Sequence, residues 1–402
     1  MNPAAKSAAA AAPAAPAAAD PLLEWRREFP SLEGVLHFAS HTLGAMPRGV
    51  EPALVSYART WGARGIRAWA EGWFTFPTET GDVLARILHG APGSVSMHEN
   101  VTVAQAVALS AIDFAPPRNR LVCTAEDFPS VLYLYEGLAR RGAEIVRVKP
   151  HEGRTIAEDD IIAAIDERTA VVAISHVLFR TAQVLDLAGI TARAHAMGAL
   201  ILVDAYQAVG TVPLDVTAMG IDLLTGGSVK WLCGGPGGGY LYAAPAVAAR
   251  VKPALTGWMA HARPFEFDSG PMAWDPGARR FWTGTPGIPS YVAARPGYDI
   301  VAAIGVAAIR EKSLRQTARL IALADEQGLR LVSPREVARR GGTVVLDVPN
   351  AAAVCEALLG QDVLCDERPG VGLRLAPHFY TRDDDLDEVM GRVREAARRA
   401  AK

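Results

Sequence analysis

One lysine in this sequence stands apart from every other charge. Lys230 follows Gly226-Gly227-Ser228-Val229, and no other charged residue occurs between Asp222 and Arg250. An ammonium buried without a partner is costly, so such an amine tends to lose its proton or react. Upstream, the apolar run Leu200–Val203 closes on Asp204. An amine that can join an aldehyde, and a carboxylate that keeps a heteroaromatic nitrogen protonated, are two requirements of pyridoxal 5′-phosphate (PLP) chemistry. A third is a set of donors for the phosphate, where small residues let backbone N–H groups approach. Gly226, Gly227 and Ser228 are candidates, as is an expected helix start at Val101-Thr102. Phe128, in Asp127-Phe128-Pro129-Ser130, offers a flat face for the cofactor ring. Taken singly, a lysine is a solvated charge and an aspartate after a strand is a turn residue. Lys230, Asp204 and the glycines in one run point instead to a site.

Such residues need rigid elements behind them. From about residue 120, short apolar runs alternate with helical spacing. Leu121–Thr124, Ile145–Val148, Ala170–Ser175, Leu200–Asp204, Asp222–Thr225 and Gly239–Tyr242 are expected strands, and Ile190–Met197 is one of the helical patterns between them. The alternation predicts an α/β fold, a mostly parallel sheet covered by helices on both faces. Ligands on such sheets bind beyond the carboxyl ends of the strands, where Ser175 and Asp204 close theirs. A Pro/Gly-rich stretch over 283–296 marks a boundary. Beyond it a helix is expected over 297–327, then strands Thr343–Val348 and Gly372–Leu375 and helices Ala351–Leu359 and Asp385–Ala400. The expected organisation is a disordered Ala/Pro tail (1–20), an N-terminal segment (21–50) packing with the small domain, a large cofactor-binding domain (51–296) and a small α+β C-terminal domain (297–402). Asp20-Pro21 should cap a first short helix. Trp61, Trp69 and Trp73 fall in an expected amphipathic helix and the chain after it, and read as core or subunit contact.

Composition narrows the rest. The 402 residues carry a net charge of −2 with no basic block, so neither nucleic acid nor an acidic membrane surface is an expected partner. A charged substrate must be met by a local group. Cys123, Cys233, Cys355 and Cys365 form no CxxC pair and no zinc spacing, so no metal is expected and a reduced, cytoplasmic setting is the simplest inference. No apolar stretch is long enough to span a bilayer. The N-terminal tail, with Lys6 its one basic side chain and Pro13 and Pro16 breaking its alanines, does not read as a secretory signal.

In order along the chain, these segments resemble the class V aminotransferase family of fold-type I PLP enzymes, and within it kynureninase and its bacterial relatives. The resemblance rests on residues 38–47 (Phe-Ala-Ser-His-Thr-Leu-Gly-Ala-Met-Pro), Asp127-Phe128-Pro129, Ser175-His176-Val177, Asp204, Lys230, Gly257-Trp258 with His261, Gly284-Thr285-Pro286, Arg368-Pro369 and Arg374-Leu375-Ala376-Pro377. It implies PLP on Lys230, Asp204 at the pyridine nitrogen, and Val101, Thr102, Ser175, Gln207 and Ser228 around the cofactor. It further implies Trp258 at the phosphate, Thr285 reaching PLP from the partner subunit of a homodimer, and Arg374 with His41 at the substrate carboxylate. The implied reaction is cleavage of the Cβ–Cγ bond of an amino-acid side chain. Three positions depart from kynureninase: Val131 stands for Asp, Gln207 for His and Val229 for Tyr. Valine donates no hydrogen bond, so the proton donor is open among His41, His261 and Tyr206. Transamination, which needs only Lys230, Asp204 and Arg374, is the first alternative. Desulfuration through Cys365 is a second, and a binding protein that has lost catalysis is a third.

Overall fold

The computed structural model describes residues 20–151 and 154–400; apart from Asp20, the expected Ala/Pro tail lies outside the described residues. The strands are β1 (Leu36–His37), β2 (Val95–His98), β3 (Arg120–Thr124), β4 (Glu144–Val148), β5 (Thr169–Ser175), β6 (Leu200–Asp204), β7 (Leu223–Gly227), β8 (Gly239–Ala243), β9 (Arg330–Leu331), β10 (Val344–Asp347), β11 (Val363–Leu364), β12 (Asp366–Arg368) and β13 (Gly372–Leu375). The α-helices are α1 (Val50–Arg64), α2 (Phe76–Ile87), α3 (Val101–Leu109), α4 (Pro129–Ala139), α5 (Glu158–Ala163), α6 (Leu187–Ala196), α7 (Pro245–Arg250), α8 (Ile288–Ile304), α9 (Val306–Glu326), α10 (Ala351–Leu359) and α11 (Asp383–Ala400).

Seven strands form the main sheet in the order β2-β8-β7-β6-β5-β3-β4. From β7 to β4 every pairing is parallel, whereas β8 runs antiparallel to both β7 and β2. The central strands are apolar on both faces because helices cover both: Ile201, Leu202 and Val203 are wholly buried. Register places Ser175 beside Asp204, and Asp204 beside Thr225, at the carboxyl ends of β5, β6 and β7. Three expected site elements therefore end on one line.

A second sheet, β12-β13-β10-β9, is antiparallel. Its core gathers Leu346, Leu373 and Val389 with Leu36 and Phe38 from near the N-terminus. The N-terminal segment enters it directly, β1 pairing in parallel with β11 and Ala39 bridging to Ala376. The same segment then reaches the main sheet, where Gly44 N–H donates to the Val229 carbonyl. The helix expected over 297–327 is two helices: α8 begins at Ile288 with Pro296 inside it, and Gly305, at φ 84°, breaks the axis before α9. The axes of the two differ by 83°. The Pro/Gly signal over 283–296 thus marks a helix start as well as a loop, because proline is tolerated in a first turn. No single described helix is long and apolar enough to cross a membrane.

Gly44 lies so close to the Lys230 carbonyl that an added Cβ would overlap it. Gly44→Ala is expected to cost about 2 kcal/mol through overpacking, read as a lower midpoint in denaturant unfolding.

Candidate active site

The carboxyl ends of β5 and β6 and the chain after β7 open on a cavity of about 490 Å³, within the usual range for a small-molecule site. Lys230, Asp204, Tyr206, Gln207, Ser175 and Phe128 line it together with the first turn of α3. Lys230 Nζ lies 4.4 Å from the Tyr206 ring centroid and 5.6 Å from that of Phe128. Burial lowers its pKa to about 7; the charge of Asp204 opposes this and that of Arg374 adds to it. Burial raises the Asp204 carboxyl to about 6, against a hydrogen bond from Tyr206 N and the charge of Lys230. Among the described residues that backbone N–H, at 2.9 Å, is the one hydrogen-bond donor to the Asp204 carboxylate.

Asn100 caps α3 by accepting from Val103 N at 3.0 Å. The first-turn N–H groups of Val101 and Thr102 have no partner inside the helix and stand where the cavity begins. Unpaired N–H groups at a helix start are the kind of donor an anion takes. Phe128 leads into α4, has 38% of its surface exposed, and meets Phe179 edge-on at 5.1 Å. Behind it the buried Asp127 carboxylate accepts from Thr124 N and Ser175 N, each at 2.7 Å, and so ties the ends of β3 and β5 together. Gln207 spans two elements, donating to the His41 carbonyl and accepting from Trp231 Nε1, both at 3.1 Å.

Gly226 and Gly227 make room for aromatic rings: an added Cβ at Gly226 would overlap the Tyr240 hydroxyl, and one at Gly227 the Tyr206 ring. Ser228 is not among the residues that line the cavity: its backbone N–H donates to the Gly238 carbonyl at 2.8 Å, and its buried hydroxyl donates to the same carbonyl at 2.7 Å and bonds Tyr298 Oη at 2.5 Å.

Arg374 is 1% exposed and already holds a carboxylate. Its Nε and Nη2 donate to Asp366 at 2.7 and 2.6 Å, and Nη1 donates to the Phe179 carbonyl at 2.7 Å. The fork expected to face a substrate therefore has all three of its nitrogens engaged by the chain itself, and it is not among the residues that line the cavity. Asp366 also takes a hydrogen bond from His41 Nε2 at 2.7 Å, another from Thr42 and an ion pair from Arg368 at 3.2 Å. Burial pushes the Asp366 carboxyl up, but the hydrogen bonds of His41 and Arg374 outweigh it and hold the pKa well below the usual range. Burial and the Arg374 charge lower His41 to about 3, so it is neutral. It acts through Asp366, and it does not line the cavity. Asp366 went unnoticed in the sequence, although the Pro369-Gly370 turn pairs it with Arg374 across a hairpin. Asn100, Val103, Ser130, Val177 and Phe179 also line the pocket and were likewise not singled out as site residues.

Trp258 and Thr285 are not brought to this cavity. Trp258 stacks on Phe267 at 5.6 Å, and Thr285 lies on an exposed loop. The two segments adjoin one another, since an added Cβ at Gly257 would overlap the Thr283 carbonyl. His261 accepts from Arg263 N at 3.0 Å and is also absent from the lining. Cys365 is buried with its Sγ 3.9 Å from that of Cys355, and the contact with Cys355 and burial push its thiol pKa far up. It is no mobile thiolate of the sort a persulfide route requires. Among the described residues no cluster of three His, Cys, Asp or Glu side chains is placed to hold a metal.

Residues 96–374 match the family model for class-V aminotransferases. The chain belongs to that family. It is 34% identical over 389 residues to a kynureninase of Deinococcus radiodurans, covering 93% of each, and 33% identical to one of Burkholderia pseudomallei, covering 94% of this chain and 92% of the other. Its fold is that of a cysteine desulfurase from Thermococcus onnurineus NA1, with a TM-score of 0.82 at 18% identity over 93% of this chain and 98% of the other. A variant of a cystine C–S lyase that carries glycine linked to its PLP cofactor also superposes, with a TM-score of 0.82 at 20% identity over 92% and 99%. This class-V chain is a PLP-dependent fold-type I enzyme. Its cavity fits the cofactor on its own terms. A buried carboxylate with one donor is short of a cation, an amine held near neutrality awaits an electrophile, and the open first turn of α3 awaits an anion.

Two measurements test this arrangement. Lys230 in the apoenzyme is expected to react with an amine-selective reagent with a midpoint near pH 7, because only the neutral amine reacts and burial favours it; a midpoint in the ordinary lysine range would mean a wet pocket. Asp366→Ala strands the Arg374 cation and is expected to cost about 3 kcal/mol in chemical denaturation. Arg368→Ala, at the rim of the same cluster, should cost under about 1 kcal/mol.

Proposed function

We propose that this enzyme is a kynureninase-like hydrolase that cleaves the Cβ–Cγ bond of an amino-acid side chain, with Lys230 as the residue that joins PLP. The observation that carries the reading is the meeting of Lys230 and Asp204 in one cavity with Arg374 close enough to act on the Lys230 charge. Kynureninase relatives along nearly the whole chain support it.

PLP, when bound, supplies an aldehyde carbon for an amine and a sink for the electron pair left at the substrate Cα. The chain's residues do the rest. Asp204 would keep the pyridine nitrogen protonated, and Phe128 would offer the ring a flat face. Val101 and Thr102 offer backbone N–H groups to the phosphate, with Ser175 and Gln207 at the pocket wall. Lys230, its pKa lowered by burial to about 7, would be the base for the Cα proton. Arg374 binds the α-carboxylate by charge-assisted hydrogen bonds, its plane fixed by Asp366 and the Phe179 carbonyl. Val103, Val177 and Phe179 give the cavity an apolar wall that suits an aromatic side chain.

The enzyme works as a homodimer in a reducing cytoplasm. Trp258 and Thr285, away from their own chain's cavity, serve the second copy's site. Residues 51–296 act as the cofactor domain, and 297–402 with 21–50 as the smaller one. Transamination is the second reading, favoured by Val229 and Gln207, which leave no phenol or imidazole where kynureninase has them.

The test is the holoenzyme with L-kynurenine and 3-hydroxykynurenine, followed by the fluorescence of released anthranilates, with Lys230→Ala as control. Release that the control abolishes supports hydrolysis. A pyridoxamine form with a released keto acid, and no anthranilate, supports transamination in its place. Arg374→Met is expected to raise KM by roughly 10- to 100-fold, the worth of hydrogen bonds to a charge.

A further inference from the structure

Val229 leaves the position before Lys230 without a hydroxyl, yet a phenol stands beside the amine. Tyr206 lines the cavity and places its ring under Lys230 Nζ at 4.4 Å. The turn that brings it there is the one that holds Asp204, whose carboxylate accepts from Tyr206 N. The chain gives up a side chain to admit it, since any Cβ at Gly227, three positions before Lys230, would overlap the Tyr206 ring and hydroxyl. Among the described residues the hydroxyl makes no hydrogen bond, and it is not a sealed orphan like that of Tyr240. Burial and the Asp204 charge raise its pKa to about 12, so it keeps its proton at neutral pH.

We propose that Tyr206 is a further catalytic residue, the proton relay of Lys230 for making and breaking the C=N bond between that amine and an aldehyde carbon. The proposal rests on Lys230 being the residue that joins PLP. When a neutral amine joins an aldehyde, the nitrogen loses two protons and the oxygen gains two, leaving one C=N bond and one water. Tyr206 passes the second proton: its O–H proton goes to the departing oxygen as the nitrogen's proton goes to the phenol oxygen. The phenol ends as it began, and nothing beyond amine, aldehyde and phenol takes part. When another amine frees Lys230, the same phenol hands its proton to the Lys230 nitrogen as the incoming nitrogen's proton goes to the phenol oxygen, so the incoming nitrogen loses what Lys230 gains.

Tyr206→Phe isolates the hydroxyl. The ring remains under the amine, and no partner is left unsatisfied, so the variant should fold. Apoenzyme is mixed with PLP and the visible absorbance of the lysine–cofactor bond is followed in time, a readout that needs no substrate. The expected result is a rise slower by on the order of 100-fold, the usual worth of a positioned acid–base group, reaching the same final amplitude. Added imidazole buffer should restore the rate in proportion to its concentration. A rate within about threefold of wild type, well short of an acid–base effect, overturns the proposal, as does a slow rate indifferent to imidazole. If the wild type forms no visible band, the Lys230 reading falls and the relay with it. If the band forms quickly but kynurenine gives no anthranilate, the proposed reaction alone falls, and the relay is decided by the Tyr206→Phe rate.

Discussion

A buried amine and a buried carboxylate meet at the top of the main sheet, and burial drives each toward its neutral form. A protein built only for stability gains little from such a pair. Here the main sheet is laid out to create it. Five parallel strands fix where β6 ends, covering helices exclude water from the strand core, and a backbone turn leaves Asp204 one donor. The glycines before Lys230 belong to the same constraint: they let Tyr206 and Tyr240 close on the strand. A ligand with a protonatable ring nitrogen and an electrophilic carbon satisfies both groups at once.

Asp366 plays the matching part in the small sheet. It joins the N-terminal segment, through His41 and Thr42, to β13, through Arg374. Arg374 in turn reaches Phe179, beyond the end of β5. Three separate stretches of chain are thus registered against the cofactor pocket by one carboxylate. His41 serves this cluster as a neutral donor with its other ring nitrogen buried and unpaired, the arrangement that lets a histidine sit beside two cations.

The main sheet was legible because its strands are short, apolar and bounded by turns. β6, β13 and α10 have the very ends that the sequence implies, Leu200–Asp204, Gly372–Leu375 and Ala351–Leu359. β2 passed unnoticed, since Val-Ser-Met-His lacks a β-branched run and pairs only with a strand far along the chain. Lys230, Asp204, Phe128 and the start of α3 declared themselves by chemistry and spacing, and all line one cavity. Ser228 and the glycines were read from size alone, and small residues admit a phosphate and an aromatic ring equally well. Asp366 was hidden among charges that look solvated in sequence; only the hairpin turns it onto Arg374.

The Asp366–Arg374 pair also bears on how a substrate arrives. An uncompensated guanidinium at the base of a cleft draws anions from out to about a Debye length and makes association fall with salt. This guanidinium is matched at contact distance by a carboxylate that stays ionised, so its own far field is that of a dipole, and the half-buried Arg368 on the same carboxylate is left as the cluster's unbalanced charge. Long-range attraction of an anion to this cluster therefore rests on Arg368 rather than on Arg374, whose grip is felt only at contact.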